Sequence, residues 1–135
     1  MIHTSNTITH EWWIPRTIAL KEKDSRQQVI EQAVLYLKSS TEEFVDNYNG
    51  GITTSLTVIS QVDCCFSTDN LTEFTEWSNL TENQVLEWCG VTFSSVSGEA
   101  KNLMDKNEFD LLKKIDSLEN PRDYTVPTWE KSRFS

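Results

Sequence analysis

Thiols, imidazoles and clustered carboxylates are the side chains in this sequence with chemical potential. Cys64, Cys65 and Cys89 supply the thiols, His3 and His10 the imidazoles, and Glu73, Glu76, Glu82 and Glu87 the nearest cluster of acids. A thiol becomes a nucleophile when a base stands within reach and lowers its pKa. Cys64 or Cys89 with His10 can be drawn as such a pair, but nothing in the sequence places that base. The residues read instead as small buried thiols. A zinc site needs CxxC or CxxH spacing, and neither occurs. Adjacent cysteines rarely pair with each other, and an odd count suits a reducing cytosol. Paired carboxylates can exchange protons or hold a hard cation. Here the EF-hand pattern is missing, and the acids read as the charges of a surface helix. Nucleophile elbow, H-E-x-x-H and P-loop are all absent; Gly50-Gly51 is a lone turn. The expectation is therefore no catalytic, cofactor-binding or metal-binding residue.

Net charge narrows the choice of partners. The chain carries −9 at neutral pH, spread along its length. Phosphate recognition needs clustered Lys and Arg, so nucleic acid and anionic membranes are disfavoured. The densest basic group, Lys101, Lys106, Lys113 and Lys114, is interleaved with Glu99, Asp105, Glu108 and Asp110 and reads as a solvated helix face. No stretch approaches the roughly 20 apolar residues of a membrane helix. The opening MIHTSNTITHEWW lacks the basic and apolar regions of a signal peptide, so the expected location is the compartment of synthesis.

Residues 8–20 alternate. Ile8, His10, Trp12, Ile14, Ile18 and Leu20 share one face, and Thr9, Glu11, Trp13, Thr17 and Lys21 the other, which predicts a half-buried strand. Pro15 cannot donate to a ladder and places a bulge or a sheet edge there. VIEQAVLYLK (29–38) fits both a helix and a strand; the strand is favoured because Asn47-Tyr48-Asn49-Gly50-Gly51 is turn chemistry and the β-branched ITTSLTVISQV (52–62) then needs a partner.

Asn70-Leu71-Thr72-Glu73 and Asn79-Leu80-Thr81-Glu82 echo one another. The second copy starts a helix over about 82–89. Thr81 and Gln84 make a capping box, Leu80 and Val85 a hydrophobic staple, and Gly90 a stop. Val85, Leu86, Trp88 and Cys89 are expected to reach the core. The first copy lacks a helical apolar period and reads as a turn. Both match N-x-T, which means little without secretion.

A longer helix is expected over 98–119, with Ala100, Leu103, Met104, Leu111, Leu112, Ile115 and Leu118 as its stripe and Phe109 widening it. Asn120-Pro121 ends it. Residues 1–120 thus form one α+β domain, a small antiparallel sheet of about three strands packed by two C-terminal helices. Residues 121–135 form an irregular C-terminal tail. Its Tyr124, Val126, Trp129 and Phe134 either pack back or reach another chain. Trp12 and Trp13 are adjacent and must point to opposite faces, which makes Trp13 a second candidate contact.

The order of these features resembles a group of small, mostly uncharacterised proteins of tailed bacteriophages, including phages of cyanobacteria. The group has a Trp-containing first strand (here HEWWIP), a β-hairpin region (VIEQAVLYLK through ITTSLTVI), a Phe-containing loop, an LTE-x-x-V-x-x-W helix (Leu80 to Trp88), a second helix and a Pro-Trp tail (here Val126-Pro127-Thr128-Trp129). The doubled Trp, the Thr inside the tail motif and Cys64-Cys65 depart from that pattern. The resemblance implies a phage origin and an α+β domain without a known catalytic role, so no active-site residues carry over. The expected function is non-enzymatic protein–protein binding as a minor virion component of capsid, neck or tail. Expected partners are other phage structural proteins or further copies of the chain. The runner-up is an accessory protein in the host cytoplasm that inhibits a host factor through its acidic surface.

Overall fold

The computed structural model describes residues 1–23, 26–66 and 79–129. Its main body is a four-stranded antiparallel sheet in the order β1-β2-β3-β6, made by β1 (Ile2–Ser5), β2 (Ile8–Lys23), β3 (Arg26–Ser40) and β6 (Thr57–Cys65). β4 (Phe44–Asp46) and β5 (Ile52–Thr54) form a separate two-stranded sheet. Helices α1 (Glu82–Trp88) and α2 (Gly98–Glu119) follow. The α+β expectation holds, and residues 29–38 are strand. The expected three strands become four in the main sheet, with the extra pair outside it.

The strand missing from the expectation is β1. It pairs with the start of β2 through a two-residue turn in which Asn6 and Thr7 have φ of 51° and 64°. Positive φ at both central residues is the turn whose twist suits a tight hairpin. Asn tolerates that conformation, whereas a β-branched Thr rarely does, so this pair carries no turn signal of its own.

Pro15 does mark a bulge. Trp13 pairs with Tyr36 and Arg16 with Val34, so β2 carries one residue more than β3 across that step. One extra residue reverses which side chains face inward. Ile8, His10 and Trp12 are buried before it; beyond it Ile18 is exposed, against the expectation of an unbroken face. Glu82, in the first turn of α1, accepts the Ile14 N–H at 3.2 Å and so satisfies a donor beside the bulge.

ITTSLTVISQV is two strands rather than one. The alternation over Val58, Ser60, Val62 and Cys64 holds inside β6, which pairs with β3, but Ile52 lies exposed in β5. Between β4 and β5, Asp46 accepts the Tyr48 N–H and the Asn49 amide, and Gly50 and Gly51 leave the turn at positive φ.

The core cluster joins Trp12 of β2, Ala33, Leu35 and Leu37 of β3, Val85, Leu86 and Cys89 around α1, Val91, and Ala100 and Met104 of α2. α1 has its capping box, with Thr81 and Gln84 each bonded to the other's backbone N–H. Trp88 is not among the core residues; it is about half exposed and meets Phe66 edge-on at 5.7 Å. Gly90 ends the helix at φ 91°, where a Cβ would sit 2.6 Å from the Ser97 carbonyl oxygen. On α2, Phe109 and Leu112 are exposed, while Asn107 and Glu108 lie in the buried stripe. Inward positions on this helix recur at 100, 104, 107–108 and 111, so the polar pair occupies the centre of the stripe.

Candidate functional site

Polar side chains converge beneath the main sheet. β2 contributes His10, β3 contributes Ser39, β6 contributes Ser60, and α2 contributes Asn107 and Glu108. His10 and Ser39 are fully buried, and Asn107 and Glu108 are 1% and 6% exposed. His10 Nδ1 lies 2.8 Å from Ser39 Oγ, and Asn107 Nδ2 donates to that oxygen at 3.1 Å. Ser60 donates to Asn107 Oδ1 at 2.8 Å. On the other side of the ring, His10 Nε2 stands 3.6 Å from Glu108 Oε2, and Asn6 donates to Glu108 Oε1 at 3.0 Å.

One assignment of protons serves this network. Ser39 receives from Asn107 and gives its single proton to His10 Nδ1. The neutral imidazole then carries its own proton on Nε2, facing the Glu108 carboxylate. A second proton on Nδ1 would make His10 and Asn107 both donors to Ser39 Oγ and take away the acceptor for the hydroxyl's own proton. Burial holds the His10 pKa below its ordinary value; the Glu108 charge opposes that shift, and His3 and Lys101 reinforce it.

Serine, imidazole and carboxylate in a row are also the parts of an acyl-transfer triad. Such a triad needs its hydroxyl open to a carbonyl substrate, and Ser39 is closed off. The described groove, of about 300 Å³, lies elsewhere, between the β2 bulge and α1. Ile14, Pro15, Arg16, Thr17, Leu80, Thr81, Glu82 and Val85 line it, and no member of the network does. The network's chemistry is that of a buried polar brace. It joins three strands, α2 and the first hairpin, and each lost member leaves its partners unsatisfied.

His3 does similar work at the edge of the sheet. Its Nε2 lies 2.6 Å from the Thr92 carbonyl oxygen, and its ring stands edge-on to Trp12 at 6.4 Å. Among the described residues no group of three or more His, Cys, Asp or Glu is placed to hold a metal ion.

The thiols are arranged less simply than their spacing suggested. The Cys89 thiol is held above its ordinary value, first by the neighbouring Cys64 thiol and then by burial. Cys89 is buried, Cys64 half-buried and Cys65 exposed. No imidazole takes part.

Of the expected contact residues, those described lie on β2 and on the segment after α2. Trp13 lies on the face of β2 opposite Trp12, half-buried, with its ring 5.4 Å from Tyr36. Tyr124, Val126 and Trp129 lie past α2 on a segment without regular structure, at 107%, 61% and 69% exposure. Phe134 lies outside the described residues, as do Glu73, Glu76 and the first NLTE copy. Glu82 holds the bulge and Glu87 is exposed, so these two acids share no site. Glu108 leaves the solvated face to which its neighbours' charges assigned it. Two signals pointed to the brace: His10 falls on an apolar strand face, and Asn107 and Glu108 fall on the apolar stripe of α2. No family model, curated protein or solved structure matches this chain.

Proposed function

We propose that this chain is a non-enzymatic binding protein, a minor virion component of a tailed phage on the capsid, neck or tail. It contacts neighbouring phage structural proteins, or further copies of itself, through the C-terminal segment and the Trp13 face. The observation that carries the reading is the segment after α2, where Tyr124 and Val126 stand in water without regular structure around them. Large aromatic and aliphatic side chains held in solvent are characteristic anchors of protein interfaces. The serine, imidazole and carboxylate that stand in a row, Ser39, His10 and Glu108, are in contrast closed inside the brace, which supports a non-enzymatic role. A net charge of −9 favours protein partners over phosphate-bearing ones. The phage assignment rests on the resemblance carried by Leu80 to Trp88 and by Val126-Pro127-Thr128-Trp129.

Particles purified through a density gradient test the reading. The chain is expected to co-sediment at a fixed ratio to the major capsid protein, and that ratio separates shell from neck or tail. Absence from the particles, with the chain abundant in the infected lysate, would overturn the virion role. It would turn attention to a host target bound through the acidic surface.

A further inference from the structure

β6 ends the main sheet, and among the described residues no strand pairs with its other edge. Two bonds fix which groups that edge offers. The Phe66 N–H donates to the Glu31 carbonyl at 2.8 Å and the Thr41 N–H to the Leu56 carbonyl at 2.9 Å, both in the β3–β6 register. Antiparallel bonding alternates along a strand. The even-numbered residues from Val58 to Cys64 therefore bond β3, and Thr57, Ile59, Gln61, Asp63 and Cys65 turn their N–H and C=O groups outward. Natural sheets blunt such an edge with Lys, Pro or a bulge; the nine residues of β6 contain no Lys or Pro and pair with β3 in one unbroken register. The segment after α2 has the complementary character. Tyr124, Thr125 and Val126 are strand-forming types, yet the segment has no regular structure and Tyr124 and Val126 are exposed. Residues 121–135 carry Arg122, Lys131 and Arg133 against Asp123 and Glu130, a net +1, which leaves −10 on residues 1–120.

We propose that the C-terminal segment of one copy pairs antiparallel with the β6 edge of a second copy, adding a strand to that copy's main sheet. This rests on the binding role proposed above and names a second copy of the chain as the partner. Charge favours that occupant, because a cationic segment meets an acidic domain. One register serves side chains and backbone together: Arg122 opposite Asp63, Tyr124 opposite Gln61 and Val126 opposite Ile59. Arg122 exchanges its exposed pair with Asp116 for Asp63 of the second copy. Tyr124 extends the outward-facing row of Trp13, Tyr36 and Gln61, and Val126 covers Ile59, which is 57% exposed. In this register the N–H groups of Tyr124 and Val126 point to β6. Pro127, which has no N–H, lies on the solvent side, where a strand tolerates it. A shift of one residue would aim Pro127 at β6 and lose a ladder bond. Donor and acceptor surfaces differ, so the contact is head-to-tail.

Sedimentation velocity of the intact chain over a concentration series tests this, beside two full-length variants. Gln61→Pro removes an outward N–H of β6 and none of its bonds to β3. Tyr124→Pro removes a donor from a segment without regular structure. The expected result is concentration-dependent association of the unaltered chain and monomers from each variant alone. The two variants mixed should give a one-to-one pair and nothing larger, because only the segment of Gln61→Pro and the edge of Tyr124→Pro remain intact. Circular dichroism checks that Gln61→Pro is folded; if it is not, Asp63→Arg takes its place. That exposed change should weaken association about fivefold, and Arg122→Asp in the same chain should restore it. A chain monomeric up to about 1 mM would overturn the inference. So would association that survives Tyr124→Pro, or folded variants that stay monomeric when mixed. Co-sedimentation with particles tests the virion role separately, and none of these outcomes alters it.

Discussion

The centre of α2 and the segment that follows it place their side chains against type. At the centre, Asn107 and the carboxylate Glu108 are buried; beyond the end, Tyr124 is fully exposed and Val126 largely so. Burying a carboxylate is costly unless its oxygens are answered. Here Asn6 donates to one oxygen, and His10 Nε2 faces the other at 3.6 Å, longer than a hydrogen bond. Leaving an aromatic ring in water forfeits roughly 1.5–3 kcal/mol of burial. The first departure is compensated inside the molecule, and the second is not compensated anywhere in the chain as described. The difference separates a region that holds the fold from two side chains, Tyr124 and Val126, that the fold leaves in solvent.

Breaking the brace is the severest way to test that division. Asn107→Ala removes a donor to Ser39 and the acceptor of Ser60 and opens a cavity. It should cost about 3 kcal/mol of stability by urea unfolding. A cost below about 1 kcal/mol would mean that the network is incidental.

Acid should loosen the same region through His10. Its folded pKa lies below its ordinary value. As pH falls, the unfolded chain therefore binds that proton first, and stability drops. The contribution is complete above the unfolded pKa of about 6.5 and is lost below it, with a slope from one proton of at most about 1.4 kcal/mol per pH unit. Carboxylates add their own acid sensitivity, so the comparison is with His10→Gln, whose stability should fall less steeply between about pH 6.5 and 5. Parallel curves would contradict a neutral buried imidazole.

The first hairpin sharpens the comparison from the other side. It presents Asn6 to Glu108 while forcing Thr7 to φ 64°. Thr7→Gly relieves that backbone at some entropic cost and should stabilise the chain by about 1 kcal/mol, read as a higher urea midpoint. The smallest effect belongs to the tail. Tyr124→Ser with Val126→Ser should change stability by no more than about 0.5 kcal/mol, because neither side chain is buried.

Much of the fold was legible because its determinants are local. The Thr81–Gln84 box, the Gly90 stop, the Asn47–Gly51 turn and the period-two runs of β2, β3 and β6 each fit within a few residues. Pro15 announced the bulge, but the reversal it causes was not carried forward to Ile18. The first hairpin was hidden because Thr7 works against the turn it occupies. The brace was hidden for a different reason. Asn6 and Glu108 lie 102 residues apart, and the charges around Glu108 belong to a solvated face, so nothing near it shows which polar groups answer it. The proposed contact residues stand out in the sequence only as side-chain types, an aromatic run without periodicity. Whether such a run folds back depends on surfaces that no local pattern describes.

Urea unfolding of the intact chain beside a version ending at Asn120 tests the division most directly. The account predicts unfolding free energies equal within about 0.5 kcal/mol and the same dependence on urea, because Tyr124 and Val126 lie exposed beyond α2. A loss of more than about 2 kcal/mol on removing the tail would contradict it, and would place the tail's aromatic side chains among those that hold the domain together.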